Sequence, residues 1–242
     1  MTTNIPSRRS FLVSGANQGL GMHTVHQIAM TPDVVVFMGS RKLTAAQDAI
    51  AGFSSTIHPL SLVVPVQLDI TDAISIANAS VFVATYLKEN NMEGLDVLIN
   101  NAAVGLETTD LMKETFDVNV FGTAALTSAI RPIMNNGGAI LNISSRMGSM
   151  ELIAKLPIAM APAYSSSKSA VNNLTVVWAR EEEKRGSGIR VVSICPGFNA
   201  TAINNYAGTM APSDGCKIIV QTALEKEGRT GVFFNKDGDI PW

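Results

Sequence analysis

Tyr164 and Lys168 stand four residues apart in the run Ala163-Tyr164-Ser165-Ser166-Ser167-Lys168. On a helix, positions four apart share one face, which sets an ammonium beside a phenol. A free tyrosine has a pKa of about 10. A nearby cation stabilises the phenolate, so the pair reads as an acid–base device that moves a proton to or from an oxygen. Taken alone, the same spacing also describes two ordinary surface residues. A second segment lies upstream, Ser14-Gly15-Ala16-Asn17-Gln18-Gly19-Leu20-Gly21, after the apolar run Phe11-Leu12-Val13 and before a helix-like stretch, 21–30. A phosphate-binding loop requires that strand–turn–helix context. Glycines reach backbone angles closed to other residues, and helix N-terminal amides supply donors and positive partial charge to a pyrophosphate. The alternative is a Gly-rich turn that holds nothing.

The elements that must position these residues alternate along the chain. Strands are predicted over 11–14, 34–38, 62–67, 97–100, 139–143, 191–194 and 231–234. Several are continuous Val/Ile/Leu runs, as expected of parallel strands buried on both faces. Helices are predicted over 20–30, 44–53, 73–89, 111–134, 163–185 and 213–226. Repeated βα units imply an α/β doubly wound parallel sheet flanked by helices, with ligands beyond the carboxyl ends of the strands. With no linker, repeat or low-complexity tract, the 242 residues read as one domain. Its first half, 1–135, is expected mainly to hold a dinucleotide, and its second, 136–242, to carry the catalytic and substrate groups.

Composition narrows the class. Hydrophobic residues make up 46% and charged residues 16%, which argues against disorder. The net charge of −2 offers no basic field for nucleic acid or an anionic membrane. No apolar run approaches the roughly 20 residues of a membrane span, and residues 1–10 lack the apolar core of a signal peptide. A soluble, cytoplasmic protein is expected. Cys195 and Cys216 form no metal-spaced set; Cys195 closes an apolar strand and reads as a buried thiol. His23, His26 and His58 have no Cys or carboxylate at ligand spacing, so no metal is expected.

With these motifs in order, the chain resembles the short-chain dehydrogenase/reductase family along nearly its whole length, and within it the carbonyl reductases. Ser14 to Gly21 is similar to the cofactor loop TGxxxGxG, with Ser14 for threonine; Gly15, Asn17, Gln18, Gly19, Leu20 and Gly21 fall within it. Leu68-Asp69-Ile70 resembles the motif whose aspartate contacts the adenine. Asn100-Asn101-Ala102-Ala103 resembles NNAG, with Ala103 for glycine. Phe116-Asp117-Val118-Asn119 supplies the helix asparagine of the family's catalytic tetrad, and Ile143-Ser144-Ser145 ends a strand with its serine, Ser145. Tyr164 and Lys168 complete the tetrad, and Pro196-Gly197 with Thr201 resembles the PGxxxT segment beside the nicotinamide. The resemblance implies a Rossmann-type fold and a hydride transfer. Tyr164 would give its proton to the carbonyl oxygen, and Ser145 would hydrogen-bond that oxygen. Lys168 would hold the nicotinamide ribose and tune Tyr164, and Asn119 would support a water linking Lys168 to solvent.

Charge bears on the cofactor. An NAD site usually ends its second strand on a carboxylate, whereas here Phe37-Met38-Gly39-Ser40-Arg41-Lys42 carries no acid. The Arg41 guanidinium suits a 2′-phosphate and Ser40 adds a hydroxyl, so NADP (as NADPH) is expected. The expected activity is NADPH-dependent reduction of a small or medium ketone or aldehyde. Its alternatives are NADP-dependent alcohol oxidation and a non-catalytic dinucleotide-binding sensor. A homo-oligomer, dimer or tetramer, and a monomer all remain open.

Three features depart from the family's pattern. Ala103 adds a methyl near the cofactor ribose, and Asn199 stands where an apolar residue usually faces the nicotinamide. Tyr164 follows Ser145 by 19 positions, rather than about a dozen, with the excess in the apolar run 152–161. Leu152, Ile153, Leu156 and Ile158 are expected to line the substrate pocket, or else to pack in a subunit contact. Finally, Glu181 and Arg185 are expected to pair at four apart near a helix end, with Gly186 as the stop.

Overall fold

The run Val34-Val35-Val36-Phe37-Met38 has no polar alternation, and such a strand needs cover on both faces. In the computed structural model, which describes residues 8–105, 107–157 and 161–242, it forms β2 (Val34–Ser40), buried along its whole length. β2 pairs in parallel with β1 (Arg9–Val13) and with β3 (Leu62–Gln67). On the other side of β1 the parallel strands β4 (Leu95–Asn100), β5 (Met134–Ile143), β6 (Arg190–Ile194) and β7 (Val232–Asn235) follow in turn. The two-residue β8 (Gly238–Asp239) closes the edge antiparallel to β7. The strand order β3-β2-β1-β4-β5-β6-β7-β8 reverses direction between β1 and β4, where doubly wound sheets bind ligands.

Alternate residues of each central strand serve opposite faces, so Phe11 and Val13 pack one way and Leu12 the other. The first face is covered by α1 (Gly19–Ala29), α2 (Leu43–Phe53) and, late in the chain, Ile219, Val220 and Ala223. The second is covered by α3 (Ala73–Glu89) together with Leu126, Ile130, Trp178 and Ala179. Each fully buried Val, Leu or Ile side chain contributes about 1.5–3 kcal/mol.

The predicted helix 111–134 is instead several pieces. A short α4 (Met112–Phe116) passes into a π-helical turn, Asp117–Gly122, and then α5 (Thr123–Ile130). Pro132 sits in the tight turn Arg131–Ile133, and Met134 already belongs to β5. The widened turn matters because Gly122 lies against Ile70, leaving no room for a Cβ. After α6 (Met150–Ile153) and the long α7 (Pro162–Arg185), the predicted helix 213–226 is split at Cys216 into α8 (Pro212–Gly215) and α9 (Lys217–Leu224).

Gly186 ends α7 at φ 65°, as expected, but Glu181 and Arg185 do not pair. Glu181 reaches Arg131 at 2.6 Å. Arg185 turns to Glu182, whose side chain is fully buried and also binds Arg131 and the Ser187 hydroxyl. Burial alone would raise the Glu182 pKa, but the Ser187 hydroxyl and the two guanidinium groups outweigh it and hold the carboxyl below its ordinary range.

A polar chain runs beneath the carboxyl ends of the central strands. Asn100 Nδ2 donates to Thr127 Oγ1 at 2.9 Å and to Asn142 Oδ1 at 2.8 Å. Asn142 Nδ2 donates to Thr175 Oγ1 at 2.8 Å, and the Thr175 and Ser193 hydroxyls lie 2.7 Å apart.

Candidate active site

Because β1 to β7 are parallel, their carboxyl ends share one edge, and the residues singled out in the sequence follow those ends in order. Ser14 and Gly15 follow β1, Ser40 ends β2, and Leu68 and Asp69 follow β3. Asn101 and Ala102 follow β4, Ser145 lies two residues past β5, and Pro196 and Gly197 follow β6.

The turn after β1 is built by close approach. Gly15 has φ 60° and leaves no space for a Cβ against Ala102, and Gly19 has φ 55°. Ser14 Oγ accepts from the Asn101 and Ala102 amides at 3.1 Å each, while Asn101 Nδ2 donates back to the Ser14 and Gly15 carbonyls. At the α1 N-terminus Gln18 contributes no side-chain cap, and the first turn holds no acid. Unclaimed amides at the start of an 11-residue helix suit a pyrophosphate, so the turn fits a dinucleotide.

A cavity of about 1710 Å³ opens beside this turn. Gln18, Gly19, Leu20, Gly21 and Asn101 line it from the cofactor side. Ser145, Tyr164, Lys168, Pro196, Gly197 and Thr201 line it from the other. Ser40, Arg41, Leu68 and Asp69 lie outside this cavity, at the ends of β2 and β3. Ser40 is buried and its hydroxyl donates to the Lys42 carbonyl, so only Arg41 of that pair is exposed. Partial burial works to raise the Asp69 pKa, but bonds from Thr71 and the charge of Arg41 hold it low.

Asn119 sits in the π-helical turn, behind the cavity wall. Its Oδ1 accepts from the Val104 amide at 2.8 Å, and its Nδ2 donates to the Val104 carbonyl and to Ser167 Oγ, each at 3.0 Å. Ser167 Oγ donates in turn to the Tyr164 carbonyl at 2.7 Å. Asn119 therefore braces the segment after β4 against α7, and both of its amide hydrogens are used in doing so.

Ser145 caps a tight turn by accepting from the Met147 amide at 3.2 Å, which leaves its hydroxyl hydrogen free to donate. Tyr164 keeps partial exposure, yet desolvation pushes its phenol up to about 12 against an opposing pull from Ser145. The expected lowering by Lys168 is not found. The ammonium lies 5.6 Å from the Tyr164 ring centroid and donates to the Ile143 carbonyl at 2.9 Å. Burial has itself lowered Lys168 from 10.5 to about 8.

That depression has a measurable sign. Between about pH 8 and 10.5 the unfolded chain holds a proton on Lys168 that the folded chain has lost, so folding gains stability as pH rises through that window. Cys216 and Tyr164, pushed up from 9.0 and 10.0 to about 12, act in the opposite sense and overlap the upper part of that window. The difference between parent and Lys168→Met isolates the lysine. The variant is expected to be more stable at pH 7 by about 1–3 kcal/mol, less about 1 kcal/mol for the lost bond to Ile143, with the advantage gone near pH 10. Denaturant unfolding at the two pH values checks this, and a difference independent of pH would contradict it.

Other lining groups escaped sequence reading. Met147, Phe198, Ile203 and Met210 come from tight turns and a loop, where no periodicity marks a wall. Leu152, Ile153 and Leu156 do line the cavity, as expected, while Ile158 lies outside the described residues. Cys195 is buried at the cavity. His26 stacks on Phe53 and His58 bonds the Leu60 amide. Among the described residues there is no cluster of potential metal ligands, and no helix is long and apolar enough to cross a membrane.

The short chain dehydrogenase family model matches residues 9–211. The chain belongs to the short-chain dehydrogenase/reductase family. It is thus an NAD(P)-dependent oxidoreductase of small molecules. The short-chain dehydrogenase anuI of Penicillium roqueforti is 32% identical over 232 residues, 88% of each chain. Carbonyl reductase [NADPH] 1 of Macaca fascicularis is 26% identical, covering 93% of this chain and 95% of its own. Among solved structures, NADPH-bound carbonyl reductase from chicken fatty liver superposes with a TM-score of 0.78 at 28% identity, over 98% of this chain and 100% of that one.

Proposed function

We propose that this short-chain dehydrogenase/reductase reduces the carbonyl of small or medium apolar ketones or aldehydes with NADPH, using Tyr164 as the general acid. The reading rests on Tyr164 itself, a phenol pushed up to about 12 on the wall of a cavity whose opposite wall is the α1 turn. The phenol is protonated at neutral pH and so can give its proton to a carbonyl oxygen as charge grows there, and the preference for NADPH, which cells keep largely reduced, favours reduction over alcohol oxidation. The bound nicotinamide supplies the hydride. Ser145 donates its free hydroxyl hydrogen to the same oxygen. Lys168, released from Ile143, holds the ribose hydroxyls, and Asn119 keeps α7 in place beneath them. The exposed Arg41 and the lack of an acid at the end of β2 favour a 2′-phosphate. The NADPH named for the macaque and chicken reductases agrees with that preference.

A panel of ketones and aldehydes, followed by loss of NADPH absorbance, tests the activity. No turnover with any of them would refute it. Leu152, Ile153 and Leu156 make the wall apolar, so the double variant Ile153→Ala, Leu156→Ala is expected to raise KM about tenfold for bulky apolar ketones and little for small ones. An unchanged preference, with a fall in mass by light scattering, would assign these residues to a subunit contact instead.

A further inference from the structure

Asn199 is almost fully enclosed, at 3% exposure, on the segment that leaves β6. The segment starts at Cys195, which lines the same cavity as Tyr164 and Lys168. It ends at Thr201, whose methyl abuts Gly19 of the cofactor turn. One short stretch of backbone therefore crosses the cavity from the proton machinery to the dinucleotide cradle.

Asn199 holds that stretch from within. Its Nδ2 donates to the Pro196 and Gly197 carbonyls, each at 3.0 Å, fixing a turn in which Gly197 has φ 88°. Its own carbonyl accepts from Asn204 Nδ2 at 2.8 Å, and Asn204 Oδ1 accepts from the Thr201 amide at 3.2 Å. Asn205 and Tyr206 then adopt successive left-handed conformations at φ 50° and 60°, which non-glycine residues hold only when their surroundings impose them. Two glycines are shaped around this residue. A Cβ at Gly208 would overlap the Asn199 peptide, and one at Gly215 would overlap its side-chain amide.

The fit has a cost that packing alone does not require. Asn199 Oδ1 is buried with no hydrogen-bond partner. An apolar side chain of equal size would fill the space without an orphaned acceptor. What such a side chain lacks is the pair of donors that grip Pro196 and Gly197.

We infer that Asn199 is a positioning residue, locking the Pro196–Gly197 turn so that the wall between Tyr164 and Gly19 is set before substrate arrives. The inference rests on the reductase reading above. Its chemistry is indirect: Asn199 touches neither the carbonyl nor its proton donor, and acts through the backbone it clamps. Misplacing reacting groups by about 1 Å costs on the order of a hundredfold in rate.

The test compares the parent with Asn199→Leu, which keeps the volume and removes both donors, and with Gly215→Ala, which displaces the same amide from the far side. Each is read by melting temperature, by NADPH affinity from fluorescence titration, and by single-turnover reduction with NADPH and its 4-deuterated form. Both variants are expected to melt cooperatively and to bind NADPH within about threefold of the parent. Hydride transfer should slow at least about tenfold, with a larger observed isotope effect because that step becomes more rate-limiting. Parental rate and isotope effect in Asn199→Leu would overturn the inference. So would loss of cooperative melting together with loss of NADPH binding, which would give Asn199 a purely structural role. A parent that binds NADPH but reduces no carbonyl would refute the reductase reading itself and this inference with it.

Discussion

Tyr164→Phe is expected to bind NADPH as the parent does and to lose nearly all turnover. The substitution removes one oxygen from a ring that otherwise keeps its place on α7, so the cofactor turn after β1 is untouched. General acid catalysis of this kind is worth roughly 10²- to 10⁴-fold. The effect should lie toward the upper end, because the cavity walls around Tyr164 are largely apolar. Ser145 can still hydrogen-bond the carbonyl oxygen, but an alkyl hydroxyl is a far weaker acid than a phenol and does not replace the lost proton. Single-turnover kinetics at saturating NADPH, together with a fluorescence titration of cofactor binding, make the measurement. A variant reducing its best substrate at close to the parental rate would show that another group supplies the proton.

Arg41→Asp carries the second large effect. Arg41 is exposed at the end of β2, and its charge helps to hold the Asp69 carboxyl low. Replacing it removes a charge-assisted contact to a 2′-phosphate, worth about 1.5–3 kcal/mol, or roughly one to two orders of magnitude in affinity. It also sets a second carboxylate near Asp69, which repels the phosphate further but suits the free diol of NADH. The ratio of kcat/KM for NADPH to that for NADH should therefore fall by at least about tenfold. An unchanged ratio would refute the role of Arg41. Loss of binding to both cofactors would point to damage at the end of β2 instead.

Where one-dimensional pattern and local chemistry agree, the sequence alone was enough. The apolar run 62–67 and the helix 73–89 were placed to the residue. The first is a half-buried parallel strand at the sheet edge, and the second opens on Asp72, whose side chain accepts from the Ile74 amide. The motif residues from Ser14 to Thr201 were legible for a related reason. Most stand at or just beyond a strand end, where the sequence turns abruptly from apolar to glycine, proline or small polar residues, while Tyr164 and Lys168 share one face of α7.

What was not legible depends on partners far away in the chain. The apolar spacing of 111–134 runs on through the π-helical turn, where Gly122 comes close against Ile70, some fifty positions earlier. Glu182 lies one residue from the position expected to pair, and its choice of Arg131 depends on an element some fifty positions earlier. β8 is two residues long and carries no alternation to read. The lowering of Tyr164 by Lys168 was inferred from spacing, but the ammonium finds the Ile143 carbonyl first. Asn199 could be marked as unusual, yet its clamp on Pro196 and Gly197 exists only once Gly208 and Gly215 have folded around it.

The chain of amides and hydroxyls from Asn100 through Asn142 and Thr175 to Ser193 bears on how the molecule assembles. Its members come from β4, β5, α7 and β6, and the Asn100–Asn142 bond forms only once β4 of the first half lies beside β5 of the second. Sliding β5 by one residue would turn Asn142 to the opposite face and take one hydrogen bond each from Asn100 and Thr175 in a dry interior. The chain therefore acts as a register key: it penalises near-miss pairings that a purely apolar interface would tolerate. A polypeptide severed between Asn135 and Gly138 would accordingly yield two pieces, each with unmet polar groups along its raw edge. The pieces should recover order together on mixing rather than separately.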